Sequence, residues 1–298
     1  MKKTSMTFGM LNGSQHSPTA VTTAVGVRVL AAVAAVWLAL TLASPLGAAA
    51  VNMRVARDLP YVSGADPDAR FHSLDLYLPE GKASVPLIFY IHGGGLTRGD
   101  KAYEGGFVNF AEFFVKQGIG VASANYRLSP AVRHPAHTED AAKAFAWVHT
   151  HAAEYQIDPS KIFLAGHSAG GYIAALLALD KNYLAKESLS PQAFRGVITI
   201  SGVYDRQGGV AGEALPSPTE FVGTEKQTPP WLITFTDHDY YGMPEQAKRF
   251  YSLMLKHGLP VEMAGVAERP HVGQIAAVGR ALPRIPDPGA DQIGRAHV

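Results

Sequence analysis

The chain has 298 residues with 26 basic and 25 acidic side chains, a formal net charge of +1, and no cysteine. Its length suits one large α/β domain with a substantial buried core. The balanced charge, without a basic block interleaved with aromatic residues, predicts that the protein does not bind nucleic acid. Because cysteine is absent, disulfides, thiolate nucleophiles and cysteine-ligated metals are excluded.

Residues 1–50 are expected to be a signal peptide. Three basic residues, the last of them Arg28, precede an apolar run from 29 to 43, and a small-residue stretch ends at Ala50. The run is shorter than the roughly 20 residues that a membrane-spanning helix needs, so we expect cleavage near Ala50. The protein would then be secreted or periplasmic, with no stable membrane association. An uncleaved signal anchor is the alternative.

Strand and helix patterns alternate along residues 51–282, the expected catalytic domain, and predict a mostly parallel central sheet with helices on both faces. Residues 74–78 alternate like an edge strand, whereas 85–91 form the continuous apolar run of a strand buried on both faces. Further expected strands are 121–125, 162–165, 196–201, 231–235 and 261–264, and expected helices are 107–117, 138–155 and one ending at Gly258.

Two segments of this chain lack a regular pattern. Residues 206–230 are rich in Gly, Pro and Glu, and we expect them to form a short lid over the functional site whose residues are described below. Residues 283–298 contain Pro, Gly and polar residues without periodicity, and we expect a disordered or artefactual tail.

The segment 166–170 has the pattern Gly-x-Ser-x-Gly, with an apolar strand before it and a helical stretch after it. A serine at the apex of such a strand–turn–helix projects its hydroxyl from the sheet, and the helix points its first amides at a developing oxyanion. The pattern predicts that Ser168 is a nucleophile. His167 lies inside the turn with its ring directed away from the hydroxyl, so we expect it to pack rather than to catalyse.

The segment 92–95, His-Gly-Gly-Gly, directly follows the buried strand 85–91. Glycine amides carry no side chain beside them, so a substrate oxygen can approach closely and accept their hydrogen bonds. By itself this motif would indicate a flexible loop. At the carboxyl end of a strand, with Gly-x-Ser-x-Gly two strands later, it favours an oxyanion hole.

A nucleophilic serine needs a base, and the base needs an acid that orients it. Asp239 follows the strand 231–235 and is our choice of acid, with Asp237 and Asp205 as alternatives. His271 follows the next strand in a loop that precedes a final helical stretch, and it is our choice of base.

The other histidines carry no recognisable ligand spacing, so neither a metal nor another cofactor is expected. Those outside the motifs are expected on the surface or on solvent-facing helix sides: His134, His137, His149, His151 and His257.

Together these motifs resemble the α/β-hydrolase superfamily, and within it the esterases with an HGGG loop, which include hormone-sensitive-lipase-like and feruloyl- or acetyl-esterase-like proteins. The matching segments are 74–79, 92–95, 99–101, 125–128, 158–162 and 166–171, followed by Asp239 and His271. The resemblance implies an α/β-hydrolase fold with Ser168 as nucleophile, His271 as base and Asp239 as its partner. It also implies an oxyanion hole made by the amides of Gly94, Gly95 and Ala169.

Three features depart from that family. Leu96 stands where a large aromatic residue usually follows the glycines, so we expect an altered acyl or alcohol pocket. The segment 206–230 is short for a lid, and the helix that follows His271 is degraded or lost.

The resemblance implies a serine esterase that hydrolyses a small-molecule ester, with a short-chain acyl group or an aryl or carbohydrate alcohol, through an acyl-enzyme. An arylformamidase or exopeptidase on the same triad is one alternative. A non-catalytic binding protein with the same fold is the other.

Overall fold

The computed structural model describes residues 52–285 except 64–67, 103–105, 206–213, 226, 241, 272 and 277–283. The expected signal peptide lies outside the described residues, as does the expected tail apart from residues 284–285.

The described residues form one nine-stranded sheet with the strand order β1-β2-β4-β3-β5-β6-β7-β8-β9. The strands are β1 (Met53–Pro60), β2 (Ser73–Pro79), β3 (Val85–Ile91), β4 (Gly120–Ala124), β5 (Ile157–His167), β6 (Gly196–Ile200), β7 (Trp231–His238), β8 (Val261–Pro270) and β9 (Arg284–Ile285). Strands β3 to β8 pair in parallel, while β1 and β2 at one end and β9 at the other pair antiparallel. The carboxyl ends of β3, β5, β6, β7 and β8 therefore meet at one edge of the sheet.

Helices pack on both faces of the sheet. They are α1 (Gly106–Lys116), α2 (Ala136–Thr150), α3 (Ala169–Leu179), α4 (Lys181–Ala185), α5 (Met243–Lys256) and α6 (Gly273–Ala276). Successive strand residues point to opposite faces, so Phe89 joins the large core with α2, α3 and α5, whereas Ile88 joins a smaller core under α1. The predicted mostly parallel sheet with helices on both faces is confirmed.

The prediction that residues 74–78 form an edge strand is wrong. All seven residues of β2 are buried, because β1 pairs with its outer side and forms the edge of the sheet. In β1 most positions are exposed or half-buried, so its sequence lacks the apolar run that would have indicated a strand.

The described part of segment 206–230 packs beside α3 and α4, and the Thr219 amide donates to the Tyr204 carbonyl oxygen shortly after β6. A 3₁₀ turn at Pro218–Phe221 contacts α3, and Glu225 pairs with Lys181 of α4 at 2.9 Å. Residues 206–213, the first part of the expected lid, lie outside the described residues. At the other end, Arg284 and Ile285, expected in the tail, pair with β8. Within the described ranges, no helix is long and apolar enough to cross a bilayer.

Candidate active site

Ser168 lies at the sharp turn between β5 and α3, with φ 54° and ψ −117°. Such angles are costly for a residue with a side chain and persist only where the surroundings impose them. The space around the flanking glycines shows which neighbours impose these angles on Ser168. A Cβ on Gly166 would lie 2.2 Å from the carbonyl oxygen of Gly170, and one on Gly170 would lie 2.1 Å from that of Ile91. The turn is therefore compressed between the strand before it, the helix after it and β3.

The glycine loop after β3 passes directly against the nucleophile, since a Cβ on Gly93 would lie 3.1 Å from the Cβ of Ser168. Gly94 and Gly95 have φ angles of +111° and +66°, and a Cβ on Gly94 would lie 2.0 Å from the carbonyl oxygen of Arg98. In the described chain, no main-chain carbonyl accepts from the amides of Gly94, Gly95 or Ala169. These amides are free to donate to a substrate oxygen.

His92 holds the start of the glycine loop. Its ring stacks on Tyr126 at a centroid distance of 4.4 Å, and the Tyr126 hydroxyl donates to the His92 carbonyl at 3.0 Å. His92 Nδ1 lies 2.7 Å from the Gly93 carbonyl oxygen. Burial lowers the pKa of His92 to about 4, so the ring is neutral at pH 7 and supports the loop without carrying charge.

His271 and Asp239 form a buried pair at the ends of β8 and β7. His271 Nδ1 lies 2.6 Å from Asp239 Oδ1, and the two side chains are 5% and 0% exposed. The other carboxylate oxygen, Oδ2, accepts from the Ser201 hydroxyl at 2.7 Å and from the Thr236 amide at 3.0 Å. With Nδ1 committed to Asp239, His271 Nε2 is the nitrogen left to take a proton.

The alternative acids lie elsewhere. Asp237 is 39% exposed with its carboxylate 3.9 Å from His238, and Asp205 lies 3.8 Å from the guanidinium of Arg249. Neither contacts the ring of His271. Of the three candidates, the structure brings only Asp239 to the base.

Sequence reasoning missed the residues that support this pair. Ser201 and Thr236 donate to Asp239, and the Thr236 hydroxyl also donates to the Arg269 carbonyl beside the base. His167 donates through Nε2 to the carbonyl oxygen of His271 at 3.0 Å. The only sequence signal for Ser201 and Thr236 is their position at the carboxyl ends of adjacent parallel strands.

The predicted nucleophile, base and oxyanion donors line one cavity of about 580 Å³. Apolar and aromatic side chains supply much of its remaining wall: Tyr90, Phe107, Val203, Tyr240, Met243 and Ile275. Among the described residues, the Ser168 hydroxyl makes no hydrogen bond to His271. Such bonds often tighten only when substrate is bound. Nor does any group of three His, Cys, Asp or Glu side chains in the described ranges form a metal site.

Leu96 does not shape this cavity, and the expectation that it alters the acyl or alcohol pocket is wrong. Its side chain is fully buried in the large core, and its carbonyl oxygen accepts from the Ser129 amide at 2.8 Å. With φ at +67°, the backbone at Leu96 turns the side chain away from the glycine amides and into the protein interior.

Comparisons with known proteins identify the architecture. A family model described as BD-FAE matches residues 74–211. A truncated carbohydrate esterase from gut microbiota superposes with a TM-score of 0.60 at 22% identity, covering 76% of this chain and 94% of that one. Esterase B from Lactobacillus rhamnosis superposes with a TM-score of 0.64 at 20% identity, and the match covers 85% of this chain and 90% of that one. The chain has an α/β-hydrolase fold.

Curated relatives of this chain are named as esterases. The carboxylic ester hydrolase LipN of Mycobacterium tuberculosis is 38% identical over 109 residues, 35% of this chain and 28% of that protein. The esterase LipI of the same organism is 35% identical over 146 residues, 44% of each chain. The chain thus spans less than half the length of these relatives. The expected resemblance to esterases is confirmed.

Proposed function

We propose that this α/β-hydrolase is a serine esterase that hydrolyses carboxylic esters through an acyl-enzyme. One observation carries the proposal: Ser168 at its strained turn, His271 with Asp239 paired behind it, and the unpaired glycine amides meet at one cavity, which Ser168, His271 and the glycines line. A nucleophile, an oriented base and oxyanion donors at one cavity are the parts that acyl transfer needs. The esterase names of the relatives support the same reaction.

In the first half of the reaction, His271 Nε2 takes the proton of the Ser168 hydroxyl while its oxygen attacks the ester carbonyl carbon. The amides of Gly94, Gly95 and Ala169 hold the resulting oxyanion. The C–O bond to the alcohol then breaks, and His271 returns its proton to the leaving oxygen. Asp239 stabilises the imidazolium and keeps its orientation. Water then attacks the acyl carbon while His271 Nε2 takes one of its protons. The bond from the acyl carbon to Ser168 Oγ breaks, and His271 returns the proton to that oxygen, which releases the acid and regenerates the Ser168 hydroxyl.

We propose esters of short acyl groups, or of aryl and carbohydrate alcohols, as substrates. Each buried methylene contributes ~0.8 kcal/mol, but only where apolar surface encloses it. None of the described residues of 214–230 lines the cavity, so we expect an acyl chain to stop gaining binding energy after a few carbons. Tyr240 is 61% exposed, lines the cavity, and has its ring 4.3 Å from that of His271. It offers a flat surface for an aryl or sugar group.

Turnover of p-nitrophenyl esters from acetate to laurate tests the reaction and the chain length together. We expect the highest kcat/KM between acetate and butyrate and a clear fall by octanoate. Ser168→Ala should reduce kcat by ~10⁶-fold without lowering the melting temperature. A wild-type protein without turnover would favour the non-catalytic alternative, and a maximum at decanoate or longer would contradict the short-chain proposal.

We further propose that the protein is exported, with cleavage near Ala50. The basic residues, the apolar run 29–43 and the small residues before Ala50 support this. Expression of the full chain with a carboxyl-terminal tag, followed by amino-terminal sequencing of the protein outside the cytoplasm, tests it. An intact amino terminus on membrane-bound protein would instead indicate a signal anchor.

A further inference from the structure

The side chain of His167, next to the nucleophile in the chain, lies between the segments that carry the base and the oxyanion donors. The residue is 6% exposed. Its Nε2 lies 3.0 Å from the main-chain oxygen of His271, and the two imidazole centroids are 4.6 Å apart. On its other side, a Cβ on Gly93 would lie 3.1 Å from its Nδ1. One imidazole therefore contacts both loops that must meet at Ser168.

The hydrogen bond to His271 fixes the protonation of His167. A carbonyl oxygen can only accept, so the proton must be on Nε2. Burial, and then the neighbouring His271, lower the pKa of His167 to about 4. At neutral pH the ring is a neutral donor whose Nε2 is already engaged, so it is not available as a second base.

Two hydrogen bonds of different kinds hold His271, whose ring also lies against Tyr240. Asp239 orients the ring through Nδ1, and His167 holds the main chain of the same residue through its carbonyl oxygen. Loss of the second hydrogen bond would leave the main chain of His271 without this support. A misplacement of about 1 Å at a reacting group can reduce a rate by ~10²-fold.

We propose that His167 is a positioning residue: its Nε2–H bond to the His271 carbonyl aligns the base with Ser168 and ties it to the glycine loop. The inference rests on the proposed esterase function. It assigns a role in catalysis to the variable residue of the Gly-x-Ser-x-Gly turn.

Two nearly isosteric substitutions separate this hydrogen bond from packing. The side-chain amide of His167→Gln can donate to the same carbonyl oxygen, whereas His167→Met has similar length and no donor. We expect kcat for p-nitrophenyl acetate to fall about 10- to 100-fold in the Met variant with KM changed less than about threefold. The Gln variant should remain within about fivefold of wild type. His257→Gln, at an exposed position, is the matched control and should leave kcat unchanged.

A second readout does not require activity. In ¹⁵N-labelled protein, the Nδ1 proton shared by His271 and Asp239 should give a downfield NMR resonance, assigned by its loss in His271→Gln. We expect the resonance to persist in His167→Gln and to shift or broaden in His167→Met. Equal kcat values in the Gln and Met variants, or an unchanged resonance in the Met variant, would overturn the proposal. If wild type showed the resonance but no turnover, the esterase proposal alone would fail.

Discussion

The two halves of the candidate site are held by different forces. On the glycine side, Gly94, Gly166 and Gly170 allow main-chain segments to approach so closely that any Cβ would collide. On the acid–base side, Asp239 and His271 are fixed by side-chain hydrogen bonds from residues on other strands, among them Ser201. Close packing of main-chain segments holds the glycine side in place. Hydrogen bonds between buried polar side chains hold the acid–base side. Substitutions should therefore reduce activity in different ways. On the glycine side they should displace the main-chain amides, and on the acid–base side they should change the orientation of His271.

The largest effect on the acid–base side should come from Asp239→Asn. The amide would leave the shape almost unchanged but would no longer stabilise the imidazolium or fix its tautomer, and kcat should fall by ~10⁴-fold. Asp237→Asn, two residues away and 39% exposed, is the matched control and should stay near wild type. Steady-state kinetics on p-nitrophenyl acetate decide between them. A larger loss of kcat in Asp237→Asn than in Asp239→Asn would show that the Asp239–His271 pair is not the one used in catalysis.

On the glycine side, Gly94→Ala should cost ~10²–10³-fold in kcat, the usual effect of losing an oxyanion donor. The new methyl group would lie 2.0 Å from the Arg98 carbonyl oxygen at a φ of +111°, so the loop must move. Gly81→Ala is the control, because Gly81 also has a positive φ, +69°, but has open space where a Cβ would point. Steady-state kinetics of both variants should show lost turnover only in Gly94→Ala, and their melting temperatures show whether each variant is folded. Near-normal kcat in Gly94→Ala would remove this amide from the oxyanion hole.

Two neutral histidines, His92 and His167, are buried at the site and make stability depend on pH. Burial lowers the pKa values of His92 and His167 to about 4 in the folded protein, against about 6.5 when unfolded. Between these values the unfolded state binds more protons, so stability is greatest above pH 6.5 and falls as pH decreases towards 4. From pH 7.5 to pH 5 each histidine should account for ~2 kcal/mol.

Urea unfolding at pH 7.5 and pH 5 measures this difference. The His167→Gln variant should lose ~2 kcal/mol less than wild type between the two pH values, because one of the two buried titrating groups is gone. An identical pH dependence in the variant would indicate that His167 titrates normally in the folded protein.

The smallest expected effect is that of Ser201→Ala. The hydroxyl is one of two donors to Asp239 Oδ2, and the Thr236 amide remains in place, so kcat should fall only about tenfold. Ser252→Ala, on the exposed side of α5, provides the control and should have no effect on turnover. A loss of kcat close to that of Asp239→Asn would mean that the Thr236 amide alone does not keep Asp239 in position.

The same division explains what could be predicted from the sequence. Glycine patterns record close main-chain approaches between neighbouring segments, so Ser168 and the loop 92–95 were predictable from local sequence. Thr236 supports Asp239 from three residues away, whereas Ser201 lies 38 positions away and only strand order brings it to Asp239. Strand β1 was missed because its exposed positions show no apolar alternation, and Leu96 was misplaced because its positive φ reverses the direction of the side chain.

The central claim is that Ser168 is a nucleophile served by His271. Intact mass spectrometry after incubation with a fluorophosphonate, followed by peptide mapping, tests it directly. We predict one covalent adduct, located on Ser168, which forms at least ~10³-fold more slowly in His271→Gln and is absent in Ser168→Ala. An adduct on another residue, or labelling that proceeds equally fast without His271, would contradict the account.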